Sequence, residues 1–347
     1  MKSLADCKDK IHSCSKCGLC QSVCPVYKIT GNDCTVSRGH FIMLRGLIDG
    51  NLKMSKTINK YLDLCLKCGA CSKFCPSGID VVDIVALAKA EYFKTHFKEK
   101  FISFIQKYFI FGFGVKVLSL FRKKYDSKSF EKKILLFRGC GSYSKTSVTK
   151  LLNLCNIEVI TPNFDCCGIP FFVRGDMENF KKYMDSFFSK IDEYGINEIV
   201  TTCASCEKTL NSYKKWQNRN DYTVKNVFEY LNEQNINLKL KTPQKVTFHK
   251  PCNITNTDTI IKILNNTENL EYIQMKDYDK CCGLNGISKF NEYGILYKLF
   301  SEKRKNIMNT GAKTVLTSCL GCEIALKLFS FGKYKIKDMT EFLAEFL

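Results

Sequence analysis

The sequence predicts an α+β fold in which an α-helical N-terminal domain is followed by two duplicated α/β domains. Three observations support this prediction. Two nearly identical cysteine runs lie at residues 14–25 and 65–76. A second cysteine pattern occurs twice in the C-terminal half, where apolar strands alternate with helices as they do around a parallel sheet. The predicted domains span residues 1–95, 131–240 and 241–347, with a linker at 96–130.

The two cysteine runs read CSKCGLCQSVCP and CLKCGACSKFCP. Each has the spacing C-x2-C-x2-C-x3-C-P, which wraps a cubane [4Fe–4S] cluster and sends its fourth cysteine to the cluster of the other run. The predicted ligand sets are Cys14, Cys17, Cys20 and Cys75 for one cluster, and Cys65, Cys68, Cys71 and Cys24 for the other. The alternative is a pair of zinc sites, but zinc usually takes two separated C-x-x-C pairs. The runs therefore indicate electron transfer.

The first domain is predicted to be helical outside its cysteine runs. Ser37 is placed to cap an apolar run that ends at Gly50. Apolar residues from Val81 to Phe93 follow the spacing of one helical face. The 40 residues between Cys24 and Cys65 leave room for helices between the cluster loops. We therefore expect an α-helical two-cluster ferredoxin domain rather than a small β-rich ferredoxin.

Composition limits where the protein works and what it binds. The chain has 347 residues, 21 cysteines and a formal net charge of +19. Clustered C-x-x-C spacing without an apolar signal stretch indicates metal ligation in a reducing compartment, so we expect a cytoplasmic protein. Two cubanes with their thiolates would lower the net charge to about +15. A basic surface suits anionic lipid or an acidic partner. Nucleic-acid binding is not expected, because no such motif occurs and the lysines are dispersed.

Residues 96–130 differ from their surroundings because they are aromatic and flanked by basic residues. Gln106, Lys107 and Lys116 interrupt the apolar stretch, so it does not qualify as a transmembrane helix. Two interpretations stay open. The segment is an amphipathic linker helix packed between domains, or it is an interfacial segment that docks on a membrane or a membrane subunit.

The C-terminal half contains an internal repeat. Each copy runs from a strand that ends in cysteine, through a second strand leading to Cys-Cys-Gly, to a strand that enters C-x-x-C. Corresponding cysteines lie 112 to 116 residues apart. The two sets are Cys140, Cys166, Cys167, Cys203 and Cys206, and then Cys252, Cys281, Cys282, Cys319 and Cys322. Ligands of a doubly wound sheet gather at the carboxyl ends of its strands, so each set is predicted to form one metal site per domain. Gly168 and Gly283 suit a tight turn that lets two adjacent thiolates face one site.

Together these motifs resemble the CCG-domain family over nearly the whole chain, with CCGIP at 166–170 and CCGLNG at 281–286. The family includes iron–sulfur subunits of glycolate oxidase, of lactate-utilisation complexes and of anaerobic glycerol-3-phosphate dehydrogenase. It also includes the B and D subunits of heterodisulfide reductase, of which the latter fuses a ferredoxin module to two CCG domains. The resemblance implies Rossmann-like CCG domains whose complete five-cysteine sets hold noncubane [4Fe–4S] clusters. Both sets are complete here, so we expect two CCG clusters, four clusters in all; alternatively one set holds a cubane or nothing.

The other candidate residues are few. Cys7, Cys34 and Cys155 complete no motif and are predicted not to be ligands. His249 precedes Cys252 at a strand end and is the one candidate catalytic residue, as a proton donor near a CCG cluster. The competing interpretation is a hydrogen-bonded histidine without a catalytic role. There is no P-loop and no convincing GxGxxG motif.

The resemblance implies an oxidoreductase subunit that carries electrons. No flavin or nicotinamide site is evident, so we expect a partner flavoprotein dehydrogenase to oxidise glycolate, lactate or glycerol 3-phosphate. Electrons would pass through the [4Fe–4S] clusters to a membrane quinone or another carrier, with the protein cytoplasmic or on the inner face of the cell membrane. The alternative is a heterodisulfide reductase catalytic subunit that reduces a disulfide at a noncubane cluster. A zinc-bound scaffold is a third hypothesis.

Overall fold

A computed structural model describes residues 3–105, 107, 128–139, 145–284 and 293–346. The chain forms two compact units. The first contains Met1–Ile105 together with Pro170–Phe180 and Lys280–Glu302. The second contains Gln106–Ile169, Lys181–Asp279 and Lys303–Leu347. Helices and two parallel sheets together confirm the predicted α+β fold, whereas the predicted domain boundaries stay a prediction.

Short helices make up the N-terminal part of the first unit. They are α1 (Lys8–His12), α2 (Leu19–Val23), α3 (Pro25–Thr30), α4 (Ser37–Ile48), α5 (Lys56–Leu64), α6 (Ala70–Lys73), α7 (Val81–Thr95) and α8 (Phe97–Ile105). The helices predicted from Ser37 and from Val81 are therefore confirmed. Ser55 caps α5 because its side chain accepts the N–H of Ile58.

The apolar core of the first unit lies among α1, α4, α5 and α7. Ile11, Leu44, Leu62 and Val85 are fully buried there. Four of the predicted cluster ligands are partly buried and pack against this core: Cys14, Cys65, Cys71 and Cys75. The cysteine loops therefore rest on a packed helical support rather than on a flexible surface.

A buried ion pair ties α7 to α5, and its lysine also reaches the segment at 170–180. Lys89 Nζ lies 2.5 Å from Asp63 Oδ1, and the two side chains are only 10% and 8% exposed. Lys89 also donates to the carbonyl of Val173 (3.0 Å), and Asn59 donates to the second oxygen of Asp63 (3.0 Å). Desolvation lowers the pKa of Lys89 to about 8, and the attraction of Asp63 opposes that shift.

Two parallel four-stranded sheets with the same topology form the framework of the C-terminal half. The first has the strand order β2-β1-β3-β4, and the second has the order β6-β5-β7-β8. The strands are β1 (Lys132–Leu136), β2 (Ile157–Ile160), β3 (Glu198–Thr201), β4 (Thr223–Asn226), β5 (Lys239–Phe248), β6 (Glu268–Tyr272), β7 (Thr314–Thr317) and β8 (Lys335–Asp338). The matching orders are the structural counterpart of the sequence repeat.

Helices follow the strands in both copies. In the first copy they are α9 (Lys145–Asn153), α10 (Ile169–Phe172), α11 (Met177–Tyr194), α12 (Ala204–Gln217) and α13 (Val227–Glu233). In the second copy they are α14 (Thr257–Asn266), α15 (Tyr293–Met308), α16 (Leu320–Leu328) and α17 (Met339–Phe346). The strand–helix alternation agrees with the predicted α/β layers.

Within the second unit, helices of one copy pack against helices of the other and join the two sheets. Helix α9 packs against α17, and α14, the counterpart of α9, packs against α13, the counterpart of α17. Lys150 of α9 donates to the carbonyl of Ala344 in α17 (2.8 Å). The backbone N–H of Ala204 donates to the carbonyl of Ser318 (2.8 Å), which links the starts of α12 and α16. The copies therefore face each other through their C-x-x-C segments.

The predicted linker is described only in part. Helix α8 and residues 128–130 belong to the described ranges, whereas residues 106 and 108–127 lie outside them. Helix α8 is held by an ion pair between Glu99 and Arg174 (3.2 Å) and by a hydrogen bond from Ser103 to Asp176. Within the described ranges, no helix combines the length and the apolar character that crossing a bilayer requires.

Asp63→Ala is expected to destabilise the first unit by about 3–5 kcal/mol, because it leaves the buried Lys89 ammonium without its counter-charge. The double variant Asp63→Leu with Lys89→Met removes both charges and is expected to be close to neutral. Urea unfolding of the cluster-loaded protein, followed by circular dichroism, measures both changes. A single variant as stable as the parent would contradict the prediction.

Candidate metal centres

The first cysteine run lines a cavity together with the last cysteine of the second run. Arg38 lines this cavity with five cysteines, which are Cys14, Cys17, Cys20, Cys71 and Cys75. Lys16 and Gly18 both have positive φ, 57° and 85°, which curls the backbone around the cavity. A Cβ at Gly18 would also approach the side-chain oxygen of Gln21 to 2.9 Å, so glycine fits best there.

A second cavity is lined by cysteines of the second run together with the last cysteine of the first run. Its cysteines are Cys24, Cys65, Cys68 and Cys71, and His40 and Lys67 also line it. Lys67 and Gly69 repeat the positive φ values of the first loop, at 54° and 74°. The fourth cysteine of each run thus lies at the cavity of the other run, and Cys71 borders both. This placement is the one that cross-ligation requires.

Charge repulsion and burial both act on these thiols. Burial raises the pKa of Cys24 to about 11. Burial, followed by the nearby Cys65 and Cys68, raises the pKa of Cys71 well above its ordinary range. Four such groups are unstable as thiolates unless a cation compensates them, and thiolate is the form that binds metal. The chemistry of the donor set therefore fits a cluster at each cavity.

The lysine that lines the second cavity is more deeply buried than the lysine that lines the first. Lys67 is only 6% exposed, and its ammonium donates to the carbonyl of Cys65 (3.0 Å). Lys16, which has the same position in the first run, is exposed. Desolvation, and then the charge of Lys67, lowers the pKa of the buried His40 to about 4, so its ring is neutral. His40 makes a hydrogen bond to the carbonyl of Tyr61 (3.1 Å).

Four cysteines of the first C-terminal set converge in the second unit. Cys166, Cys167, Cys203 and Cys206 are all buried. Cys167 lies beside Cys166 and Cys206, and Cys206 lies beside Cys203. The N–H of Gly168, a residue with φ of 72°, donates to Cys166 Sγ (3.4 Å), so the predicted tight turn is present.

Cys140 lies outside the described residues. Its chain neighbour Gly139 has φ of 60°, and a Cβ there would lie 3.0 Å from Cys206 Sγ. The strand β1 that precedes Cys140 therefore ends beside the other cysteines of its set.

The second set repeats this local geometry. The N–H of Gly283, at φ of 79°, donates to Cys281 Sγ (3.4 Å). Cys282 is buried and Cys252 is partly buried. Cys319 and Cys322 are buried and lie beside each other. Cys281 and Cys282 belong to the Lys280–Glu302 segment of the first unit, whereas the other three belong to the second unit.

The C-x-x-C motifs of the two copies touch each other. Cys203 lies beside Cys319, so six buried sulfurs form an unbroken series of neighbours within the second unit. Its members, in order, are Cys166, Cys167, Cys206, Cys203, Cys319 and Cys322. We expected each set to form a separate site, and no sequence pattern indicates this contact. Cys203 and Cys319 each lie at the N-terminal cap of a helix. The two sulfurs differ, because the pKa of Cys319 is well below its ordinary value whereas that of Cys203 is well above it.

Two residues around the series were not predicted from the sequence. Ser205 lies 3.3 Å from Cys319 Sγ across the joint between the copies. Glu207 is buried, and this burial raises the pKa of its carboxyl to about 7 while Thr255 and Asn226 donate hydrogen bonds to it. The available signal was that a glutamate follows each C-x-x-C, as Glu207 and Glu323.

The remaining candidates are one histidine and three cysteines. A ring nitrogen of His249 lies within 4.8 Å of Cys322 Sγ in the same unit. His249 is fully buried at the end of β5, and its backbone N–H donates to the carbonyl of Leu316 (2.9 Å). Cys155 is buried, and burial raises its pKa to about 11, as expected for a neutral core thiol. Neither Cys7 nor Cys34 occurs among the described lining residues of the two cavities.

Comparison with known proteins identifies the same parts. Residues 10–79 match the family model of the 4Fe-4S dicluster domain, and residues 134–211 and 246–327 each match that of the cysteine-rich CCG domain. The predicted resemblance to CCG-domain iron–sulfur proteins is confirmed.

The relatives include subunits of two different oxidoreductases. The probable glycolate oxidase iron-sulfur subunit of Bacillus subtilis is 25% identical, over 91% of this chain and 88% of its own. The D subunit of the dihydromethanophenazine:CoB–CoM heterodisulfide reductase of Methanosarcina acetivorans is 21% identical, over 90% of this chain and 88% of its own. A crystal structure of a hypothetical protein from Helicobacter pylori shares the fold, with a TM-score of 0.51 and 13% identity over 89% of this chain and 66% of that one.

Cys24→Ser is expected to abolish or strongly perturb the cluster of the second run, because Cys24 lies at that cavity. Cys75→Ser is the matched control and is expected to affect the cluster of the first run. Electron paramagnetic resonance of the reduced proteins distinguishes the two signals. Loss of the same signal in both variants would contradict cross-ligation.

Lys67→Gln is expected to lower the reduction potential of one cubane, because a buried positive charge stabilises the extra electron. We expect a shift on the order of 60 mV, a tenfold change in a one-electron equilibrium. Lys16→Gln removes the exposed lysine at the same position of the first run and is expected to change the reduction potential only slightly. Potentiometric titration measures both variants, and equal shifts would refute the distinction.

Proposed function

We propose that this chain, which belongs to the iron–sulfur proteins that join a 4Fe-4S dicluster domain to two cysteine-rich CCG domains, is the electron-transfer subunit of a flavin-dependent dehydrogenase complex. The observation that carries this proposal is the set of buried cysteine groups. In the first unit, two cavities are each lined by one cysteine run and by the fourth cysteine of the other run. In the second unit, six sulfurs lie in series. Such groups suit redox metals that accept and release electrons.

The proposed cluster ligands follow from these groups. Cys14, Cys17, Cys20 and Cys75 would hold one cubane [4Fe–4S] cluster, and Cys24, Cys65, Cys68 and Cys71 the other. The two five-cysteine sets would hold one noncubane [4Fe–4S] cluster each. Iron–sulfur clusters supply one-electron chemistry when bound. The chain's own residues would position the sulfurs, exclude water by burial and adjust the local charge through Lys67 and Arg38.

The proposed partner is a flavoprotein that oxidises a small hydroxy compound such as glycolate, lactate or glycerol 3-phosphate. Support comes from the relative named as a glycolate oxidase iron-sulfur subunit. The electrons would then leave for a membrane quinone or another carrier. We place the protein in the cytoplasm, on the inner face of the cell membrane.

Helix α8 supports contact with a membrane surface. Phe97, Phe101 and Phe104 are 79%, 51% and 53% exposed, although the same helix is anchored through Glu99 and Ser103. Exposed aromatic side chains beside lysines favour the headgroup region of an anionic bilayer. The net positive charge, about +15 with two cubanes bound, acts in the same direction.

A second candidate function is heterodisulfide reduction. It is favoured by the contact between Cys203 and Cys319, which brings the two CCG copies to one place, and by the relative named as a heterodisulfide reductase D subunit. In this case the protein would itself be the catalyst, and His249 is the candidate proton donor.

Anaerobic affinity purification of the native complex tests the first function against the second. We expect a co-purified flavoprotein and about 16 iron per chain, as four [4Fe–4S] clusters require. A haem-containing membrane partner without flavin would instead support disulfide reduction. Zinc without acid-labile sulfide would contradict both functions.

The triple variant Phe97→Ser, Phe101→Ser and Phe104→Ser is expected to lose most of its binding to anionic vesicles, because it removes the exposed aromatic face of α8. Cosedimentation with phosphatidylglycerol vesicles measures this loss. The matched control is Ile42→Ser with Leu52→Ser, two exposed apolar sites elsewhere in the first unit. If the triple variant binds as well as the parent, α8 is not the membrane contact.

A further inference from the structure

We propose that Ser205, in the first CCG copy, raises the reduction potential of the cluster held by the second copy, through a hydrogen bond to the sulfur of Cys319. The inference rests on the proposed cluster at the second cysteine set. It goes further by assigning different properties to two sites that arose by duplication.

The hydrogen-bond partners of Ser205 fix the direction of its hydroxyl. Ser205 Oγ lies 3.3 Å from Cys319 Sγ. Asn253 Nδ2 donates to the same oxygen at 3.2 Å, and Lys208 Nζ lies 3.4 Å from the amide oxygen of Asn253. An ammonium and an amide NH2 act only as donors, so this series runs from Lys208 to Asn253 to Ser205. The serine hydrogen is then left for the sulfur.

The state of Cys319 agrees with this direction. A cluster ligand is a thiolate, which accepts hydrogen bonds and has no hydrogen to give. Ser205 must therefore be the donor. The cap position of Cys319 at the start of α16 favours the negative sulfur in the same way.

The sign of the effect follows from charge. One-electron reduction adds negative charge to a cluster and its sulfurs, and a donor aimed at a sulfur stabilises that charge. Consecutive hydrogen bonds polarise each other, so the lysine at the start of the series strengthens the last bond. The contribution of Lys208 is the smaller one because its side chain is exposed.

The sequence of the first copy does not repeat this series. The residues that correspond to Ser205, Asn253 and Lys208 at the repeat spacing are Gly321, Gly141 and Ile324. Glycine and isoleucine side chains offer no hydrogen-bond donor. This hydrogen-bond series therefore has no sequence counterpart at the first cluster, so duplication has produced two sites that differ in this respect.

A potentiometric titration of the full-length, anaerobically purified protein tests this proposal, with dithionite as the source of electrons. The signal of the second CCG cluster is identified as the one that Cys322→Ala abolishes. Ser205→Ala is expected to lower the midpoint potential of this signal by up to about 59 mV, which is a tenfold change in a one-electron reduction equilibrium. Ser205→Thr keeps the hydroxyl and is expected to restore most of the midpoint. Ser212→Ala, on the same helix with its hydroxyl bonded to the Thr209 carbonyl, is the matched control and should not shift it.

The outcomes separate this inference from the proposed function. A second-set signal whose midpoint is unchanged in Ser205→Ala overturns the role of Ser205 and leaves the electron-transfer function standing. A parent protein without any second-set cluster overturns both. If Ser205→Ala loses the cluster, the midpoint potential is measured in Asn253→Ala instead. That variant keeps the Ser205 hydroxyl but removes the amide that orients it. An unshifted midpoint in that variant also overturns the proposal.

Discussion

Repulsion between closely spaced thiolates is the constraint on which the rest of this structure depends. The pKa of Cys71 is raised by burial and then by its sulfur neighbours, so the thiols of the second cavity oppose their own ionisation. A metal cluster removes such opposition by supplying positive charge. Lys67 at that cavity contributes in the same sense. A bound cluster would therefore couple folding to metal binding through charge.

Rigid support for these sulfurs comes from two kinds of scaffold. In the first unit, short helices around an apolar core hold both cysteine loops, and the positive φ values at equivalent positions show that each loop has the same shape. In the second unit, parallel strands deliver cysteines to their carboxyl ends, as open α/β sheets generally do. Helices of the two copies pack against each other, and this packing brings the two C-x-x-C segments together.

Duplication preserved the scaffold while the side chains around the sulfurs diverged. Ser205 has Gly321 as its counterpart, and Asn226 has Asp338. Asn226 donates to Glu207, whereas Asp338 is buried and has its carboxyl pKa raised by burial and by the charges of Glu341 and Glu323. Equal backbone geometry thus surrounds two sites with unequal electrostatics. Such differences give adjacent redox centres different potentials.

The sequence by itself determined the elements and the ligand types. Spacing within each cysteine run predicted a cross-pairing with which the two cavities agree, because three cysteines in a tight turn leave the fourth pointing elsewhere. The 112 to 116 residue repeat predicted two equal α/β sheets. Only the tertiary structure decided how the copies meet, and hence that Cys203 contacts Cys319 and that Ser205 reaches across the joint. It also decided that Lys67 is buried while Lys16 is exposed. Local spacing encodes the shape of a loop, but contacts between distant segments and the burial of a charge depend on the packing of the whole chain.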